Sequence, residues 1–321
     1  MNQGSVVTVR FATQDDVDKI LHVSEGIYDG RDYLPVVLKQ WLNHERKLIY
    51  LAEYEGEVIG LQVATIAEDQ QSFVTQALRI HPKYRGKKLS YQLTEAVITS
   101  IRKSLPQVLK NRSVCSKNSP AFLMFRNKGF KPIMEQRVHA LQRLPSDVLT
   151  QKCPELCDSE LVPLGTKDAL ELYKSEKLLN IIGSHSVVLV DNVFPHKLPE
   201  DAHIVAKKVE NTVFVDVSLQ EFRNGKFPKS FSQGVLSKRV ATDIWICQIY
   251  TDDTELYKKH FLRQLNAAAQ RIQRKEFIFR FFQSSCSQFD GCKLVKDEIS
   301  RLKLNCEVES EVRVLLEYDL K

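Results

Sequence analysis

Apolar residues recur along the chain in two rhythms, and the change from one to the other marks out the elements. Val6 to Phe11 reads as a short strand. Thr13-Gln14-Asp15-Asp16 offers a hydroxyl followed three residues on by an acid, a helix-start signal, and Val17, Ile20, Leu21 and Ser24 continue at helical spacing. A polar and aromatic turn, Ile27 to Pro35, leads to a second helix, Val36 to Leu42. Lys47 to Tyr54 and Val58 to Ala67 alternate as strands, and Glu55-Gly56-Glu57 joins them as a hairpin. Phe73 to Ile80 is a further strand. Leu89, Leu93, Ala96, Val97 and Ile101 mark one face of a helix, and Val108 to Cys115 reads as a strand. Asn118 to Asn127 is a short helix, with Gly129 placed for a left-handed cap. Met134 to Leu144 closes the series. The order β-α-α-β-β-β-α-β-α-β predicts a mixed sheet with helices on its faces, an α/β (α+β) fold.

Residues 5–147 thus read as one unit, and 148–163, with their cysteines and prolines, as a linker. In 164–321 a helix is expected from Gly165 to Leu179, then strands at Val187 to Val190, within Ala202 to Val217, and at Ala241 to Tyr250. Asp252 with Glu255 opens a helix to Gln273 whose buried face is Tyr257, Phe261, Leu265, Ala268 and Ile272. A strand at Glu276 to Gln283, a helix at Asp290 to Leu304 and a terminal strand alternating from Val308 to Tyr318 follow. This repeats the order of the later part of the first unit, so the second half reads as a degenerate internal copy of the first.

Composition narrows the class. The 321 residues are 43% hydrophobic and 27% charged, values of a soluble globular protein. The polar N-terminus lacks the apolar core of a secretory signal, and no apolar run approaches the ~20 residues that span a bilayer. A cytoplasmic, membrane-free protein is expected. The seven cysteines fit no zinc spacing and read as reduced thiols. His185, His196 and His203 are too loosely spaced for a metal and read as surface residues, so no metal is expected. The net charge of +6 suits a polyanionic partner only weakly. Without zinc-finger spacing, a basic arm or an aromatic RNA-binding signature, no nucleic acid is expected. A phosphorylated small molecule accounts for a local basic cluster equally well.

Such a cluster lies in Ile80-His81-Pro82-Lys83-Tyr84-Arg85-Gly86-Lys87-Lys88-Leu89-Ser90, between a strand and a helix. A strand that feeds a tight glycine turn and then a helix directs several backbone N–H groups and the positive end of the helix at one spot, a phosphate cradle. An exposed basic turn is the alternative. Together with the element order, "LRIHPKYRGKKLS" resembles the GCN5-related N-acetyltransferase superfamily. There a strand ending V-x-P precedes [QR]-x-x-G-x-[GA] and a helix, and the loop binds the pyrophosphate of acetyl-CoA. Arg85 and Gly86 match; Lys88 and Ser90 stand where the pattern has small residues. The resemblance implies acetyl-CoA contacts from Leu78, Arg79, Ile80, Arg85, Gly86, Lys87, Lys88, Leu89 and Ser90. A Lys88 contact would partly replace a glycine amide. Asn118-Ser119-Pro120-Ala121 and "FRNKGF" match the N-x-x-A…G-F block that approaches the CoA sulfur. Phe125 stands there where a tyrosine acid is usual; a thiolate is a fair leaving group without one.

"IYDGRDYLPVVLKQWL" narrows the resemblance to the histidine N-acetyltransferase / probable N-acetyltransferase family, which carries a family-specific C-terminal half. The family then implies acetyl transfer to the α-amino group of a free amino acid, histidine first, with Tyr28, Asp32 and Tyr33 shaping the acceptor pocket. The alternative is a packed loop with Asp32 as a helix cap. Gln76 stands where the family strand has a glutamate base and cannot take a proton, so Glu68 and Asp69 are candidates by position; a solvated turn is the alternative for both. Backbone N–H groups of Leu78 and Ile80 would polarise the thioester carbonyl. In the second half the corresponding turn, Tyr250-Thr251-Asp252-Asp253-Thr254, is acidic and lacks glycine, so no CoA is expected there. That half is expected to close the acceptor site or complete a shared sheet. Rival readings are acetylation of another amino acid, a polyamine or a peptide, and a non-catalytic CoA-binding regulator on the same scaffold.

Overall fold

Glu55 and Gly56 both adopt positive φ, 52° and 83°, as the commonest two-residue hairpin turn requires. They join β2 (Lys47–Tyr54) to β3 (Glu57–Ile66) and set the register of the sheet that grows from them. The computed structural model describes residues 7–67, 70–151, 160–183, 186–191, 194–283 and 288–320. In the first half β1 (Thr8–Phe11), α1 (Val17–Val23) and α2 (Leu34–Leu42) precede the hairpin. The Thr13/Asp16 capping box forms as expected. After the hairpin come β4 (Ser72–Ile80), α3 (Leu89–Ser104), β5 (Lys110–Ser116), α4 (Pro120–Asn127), β6 (Lys131–Pro145) and α5 (Ser146–Gln151). Gly129 ends α4 with φ 92°.

The second half runs β7 (Val162–Leu164), α6 (Thr166–Lys174), α7 (Leu179–Ile182), β8 (Val187–Leu189), β9 (Pro195–Lys197), α8 (Ala202–Lys208), β10 (Val213–Val215), α9 (Leu219–Arg223) and β11 (Phe231–Lys238). It ends with β12 (Asp243–Tyr250), α10 (Thr254–Arg271), β13 (Glu276–Gln283), α11 (Gly291–Arg301) and β14 (Val308–Asp319). Within the stretch Ala202 to Val217, read as strand-rich, Val213–Val215 is a strand. Ala202–Lys208 is a helix, because Ala202, Val205, Ala206 and Val209 are the buried positions and that spacing is helical. Phe231–Lys238 is a strand that the sequence reading passed over.

Among the described residues twelve strands form one sheet, ordered β1-β2-β3-β4-β5-β14-β6-β13-β12-β11-β10-β7. Read inward from either edge the order is the same: five strands of one half, then the β14–β6 pair. Each half has one parallel pair at its fourth and fifth strands, β4 with β5 and β12 with β13. The terminal strand β14 leaves its own half and lies between β5 and β6. The halves therefore share a sheet and exchange their last strands.

Two layers flank the first half. Leu89, Leu93, Val97 and Ile101 of α3 pack with Tyr50, Ile59 and Phe73 on one face. Ile20, Val23, Leu34 and Leu38 of α1 and α2 pack with Leu51, Leu61 and Val63 on the other. Among the described residues no helix is long and apolar enough to cross a membrane.

Candidate active site

The site begins with a defect in β4. Its pairing to β3 slips between Leu61 and Val63, which face Arg79 and Gln76. Ala77 absorbs the extra residue at φ 52°. Such a bulge bends a strand and re-aims its side chains. β4 pairs with β5 only from Ser72 to Thr75, so the two parallel strands part beyond that point. Gly60 lets the bent strand pass close: a Cβ there would meet the Arg79 carbonyl oxygen at 2.8 Å.

A groove of about 500 Å³ follows the departing end of β4. It is lined by the predicted Leu78, Arg79, Ile80, Arg85, Gly86, Lys88, Leu89 and Ser90, with Tyr28 from the loop before α2 and Pro120, Ala121 and Met124 from α4. Gly86 has φ 80°, which only glycine adopts freely, and nothing lies within 4 Å of where a Cβ would stand. Lys88 is the N-cap of α3 in the left-handed region, φ 59° and ψ 19°, and no side chain caps the helix. The first amides of α3 are thus not taken by a capping side chain. Arg85 Nε donates to the Ile80 carbonyl at 3.0 Å and ties the loop to β4. The second half differs at the matching point. There the Asp253 carboxylate accepts from the Glu255 and Leu256 amides at 2.8 and 3.0 Å, so a side chain already fills the N-terminus of α10.

Three predicted groove residues lie elsewhere. Lys87 is exposed, its ammonium 5.6 Å from the Tyr84 ring. Asn118 is exposed in the turn before α4, where Ser119 supplies the cap. Phe125 turns into the core, its ring 4.8 Å from that of Phe130, because its position on α4 faces Val314 and Leu316 of β14. Met124 takes the place on the groove wall.

The acceptor-side residues separate as well. Asp32 Oδ1 accepts from Arg79 Nη2 at 2.5 Å and from the Leu34 N–H at 3.0 Å. Both members of the pair are buried, and Asp32 Oδ2, Arg79 Nε and Arg79 Nη1 lack partners among the described residues. The carboxylate expected to hold an ammonium is therefore engaged by Arg79 and by the first amide of α2, whose N-cap is Tyr33. Two guanidinium groups lie near the Tyr33 ring, Arg79 at 5.4 Å and Arg239 at 4.9 Å from its centre. Burial raises its hydroxyl pKa.

Beyond Tyr28 lie two cavities on the α1–α2 side of the sheet. The central one, about 350 Å³, is lined by Tyr28, Arg31, Tyr33, Arg239, Arg280, Glu309, Glu311 and Arg313, among others. The other, about 330 Å³, shares Tyr33 and Arg239 with it and reaches Gln76, Thr65, Lys47 and Trp41. Gln76 is buried and accepts from Thr65 Oγ1 at 3.4 Å. Glu68 and Asp69 lie outside the described residues, as does His185. His203 is exposed, but His196 is buried, 3.1 Å from the Lys208 ammonium. No group of three metal-ligating side chains occurs among the described residues. No sequence motif singles out Lys47, Arg239, Glu311 or Arg313. The one signal is parity: Lys47 shares the strand face of Ile49 and Leu51, both buried.

Residues 15–130 match the Acetyltransferase (GNAT) family. This segment resembles a GNAT domain. It holds the bulge, the groove loop and α4. Over 97 residues the chain is 32% identical to a histidine N-acetyltransferase of Oreochromis niloticus, covering 30% of this chain and 29% of that protein. A histidine N-acetyltransferase of Xenopus tropicalis is 30% identical over 97 residues, 30% of each chain. The matched stretch thus spans under a third of these curated relatives. In overall fold the whole chain resembles a tandem GNAT protein from the clavulanic acid biosynthesis pathway, with TM-score 0.59 and 11% identity over 98% of this chain and 99% of that one. A GCN5-related N-acetyltransferase from Anabaena variabilis gives TM-score 0.51 at 11% identity, over 98% and 73%. The tandem architecture agrees with the mirrored strand order described above.

Proposed function

We propose that the protein is an acetyl-CoA-dependent N-acetyltransferase acting on the α-amino group of a free amino acid, with L-histidine the first candidate. The observation that carries this reading is the position of Tyr28, which lines both the groove beside the GNAT loop and the central cavity. A thioester lying along β4 is then within reach of a small amine entering from the other side. The glycine turn and the N-terminus of α3, free of a side-chain cap, fit the pyrophosphate of CoA. Cavities of about 350 and 330 Å³ suit a free amino acid better than a polypeptide. The names of the relatives supply the choice of histidine.

In this reaction the neutral amine attacks the thioester carbonyl. The C–N bond forms, the C–S bond breaks, and the thiolate leaves. The amine proton needs an acceptor, which Gln76 cannot be. Glu68 and Asp69 remain candidates by position; in the central cavity Glu311 is the carboxylate beside Arg313, 2.9 Å away. Free-thiol release from acetyl-CoA, with each proteinogenic amino acid offered separately and products identified by mass, tests the reading. Release with histidine alone is expected, and Arg85→Ala should weaken acetyl-CoA binding about tenfold, about 1.4 kcal/mol. Phe125 has no acidic proton and turns away from the groove into the core, which favours a second reading, a CoA-binding regulator. Thermal stabilisation by acetyl-CoA with no thiol release for any amine would replace the first reading by the second.

A further inference from the structure

Among the described residues, the cavity between α2 and the second half is lined by the cations Arg46, Lys47, Lys208 and Arg239 and by one carboxylate, Asp191. Lys47 Nζ donates to Thr65 Oγ1 at 3.0 Å and lies 4.1 Å from the Trp41 ring centre. It makes no ion pair among the described residues. Trp41 packs on Tyr33 at 5.6 Å, and Arg239 lies over the other ring of that pair. Arg239 is buried, with its Nε unpartnered among the described residues and no ion pair there. Of the lining side chains, Asp191 is the carboxylate, and Lys208 holds it at 2.9 Å. Burial lowers the Lys47 pKa to about 8, and the ring face opposes that by favouring the ammonium. Lys47 is half-buried and Arg239 buried. Asp191 acts on both and Asp32 on Arg239 through space, but neither cation has an ion-pair partner among the described residues, so an anion that enters offsets the cost of their desolvation.

We propose that this cavity is a carboxylate pocket, anchored by Lys47 and Arg239, that receives the carboxylate of the acceptor. The inference rests on the acetyltransferase reading and adds to it the subsite that selects for the acceptor's carboxylate. The acceptor carries a carboxylate, and amines whose only charge is positive are excluded. The contacts Lys47–Thr65 at 3.0 Å and Thr65–Gln76 at 3.4 Å place the anchor two side chains from β4, a spacing that suits a compact α-amino acid. The aromatic rings of Tyr33 and Trp41 exclude water and strengthen the pairing.

The test compares L-histidine with histamine, its decarboxylated counterpart, and does the same for any other amino acid that supports thiol release. Acetylation of the amino acid with at least a hundredfold preference over its amine is expected. Lys47→Met should raise the KM for the amino acid at least tenfold and leave the KM for acetyl-CoA unchanged; Lys47→Arg should recover most of the loss. Equal use of the decarboxylated amine, or a Lys47→Met variant within twofold of the parent, overturns the pocket. Binding is read separately from Trp41 emission, since Trp245 is fully buried in the second half. A protein that releases no thiol, yet shows Trp41 quenching by the amino acid and not by its amine, sinks the transferase reading and keeps the pocket. Absence of quenching by every amino acid, with no turnover, overturns the pocket as well.

Discussion

At the scale of single residues the site is built from charges that have been moved indoors. The Asp32–Arg79 pair is buried on both sides, and breaking such a pair costs about 3–5 kcal/mol because the survivor is stranded. Asp32→Asn is therefore expected to lower stability to urea by that amount, and Asp32→Asn with Arg79→Met to recover part of it. A single variant within 1 kcal/mol of the parent would show that the pair is not closed in solution. Lys88 is a second local conflict. A lysine in the left-handed region costs roughly 1–2 kcal/mol that glycine avoids, so Lys88→Gly should raise the urea midpoint while weakening CoA through loss of a cation. Arg85 and Gly86 were legible in the sequence because a turn and a helix N-terminus are local. The Asp32–Arg79 contact was not, since it joins residues 47 apart and no spacing rule reaches that far.

Elements decide where those residues point. The bulge at Ala77 has no signature in "VTQALRI", which reads as an uninterrupted strand. Only its partner, Gly60, hints that two backbones approach closely. α3 and α10 show how one fold position takes opposite roles. The first has no side-chain cap, and the second spends its amides on Asp253. That difference was visible beforehand as acids in the second turn. Ala202–Lys208 was included in a strand-rich stretch, although its buried positions recur at helical spacing. Phe125 shows the limit of a motif: its place in the block was clear, but its direction depends on β14, which arrives from nearly 200 residues later.

Across the whole molecule, the second half bears on the first through the sheet and through charge. His260 lies fully buried in the second half, 2.9 Å from both Ser230 Oγ and Ser232 Oγ. Burial depresses its pKa to about 3, and His139, pushed down to about 4, acts with the same sign. Both stay neutral when folded, while the unfolded chain takes up protons as the pH falls below about 6.5. Stability is then full above that pH and is lost on the way down toward 4 and 3, at up to about 1.4 kcal/mol per unit for each group. Urea midpoints measured between pH 7 and 4 should fall, and less steeply in His260→Gln. The terminal strand carries a stronger prediction. β14 pairs with β5 from Asp319 to Arg313 and with β6 along most of its length. A chain ended after Leu304 should therefore lose thermal stabilisation by acetyl-CoA, although the groove residues are all retained. Stabilisation that survives would mean the first half closes without its borrowed strand.

That exchange sets a timetable for the newborn chain. A ribosome makes the groove, the loop and α4 first, yet β5 has no neighbour on its inner side until β14 has emerged. Through that interval the nascent half exposes an open strand edge, the kind of surface that chaperones shield and that other chains can capture. Translation that stops early then yields a protein with every groove residue and no closed sheet to hold them. Competence waits on β14, a strand that lines no part of the groove and acts from behind its wall.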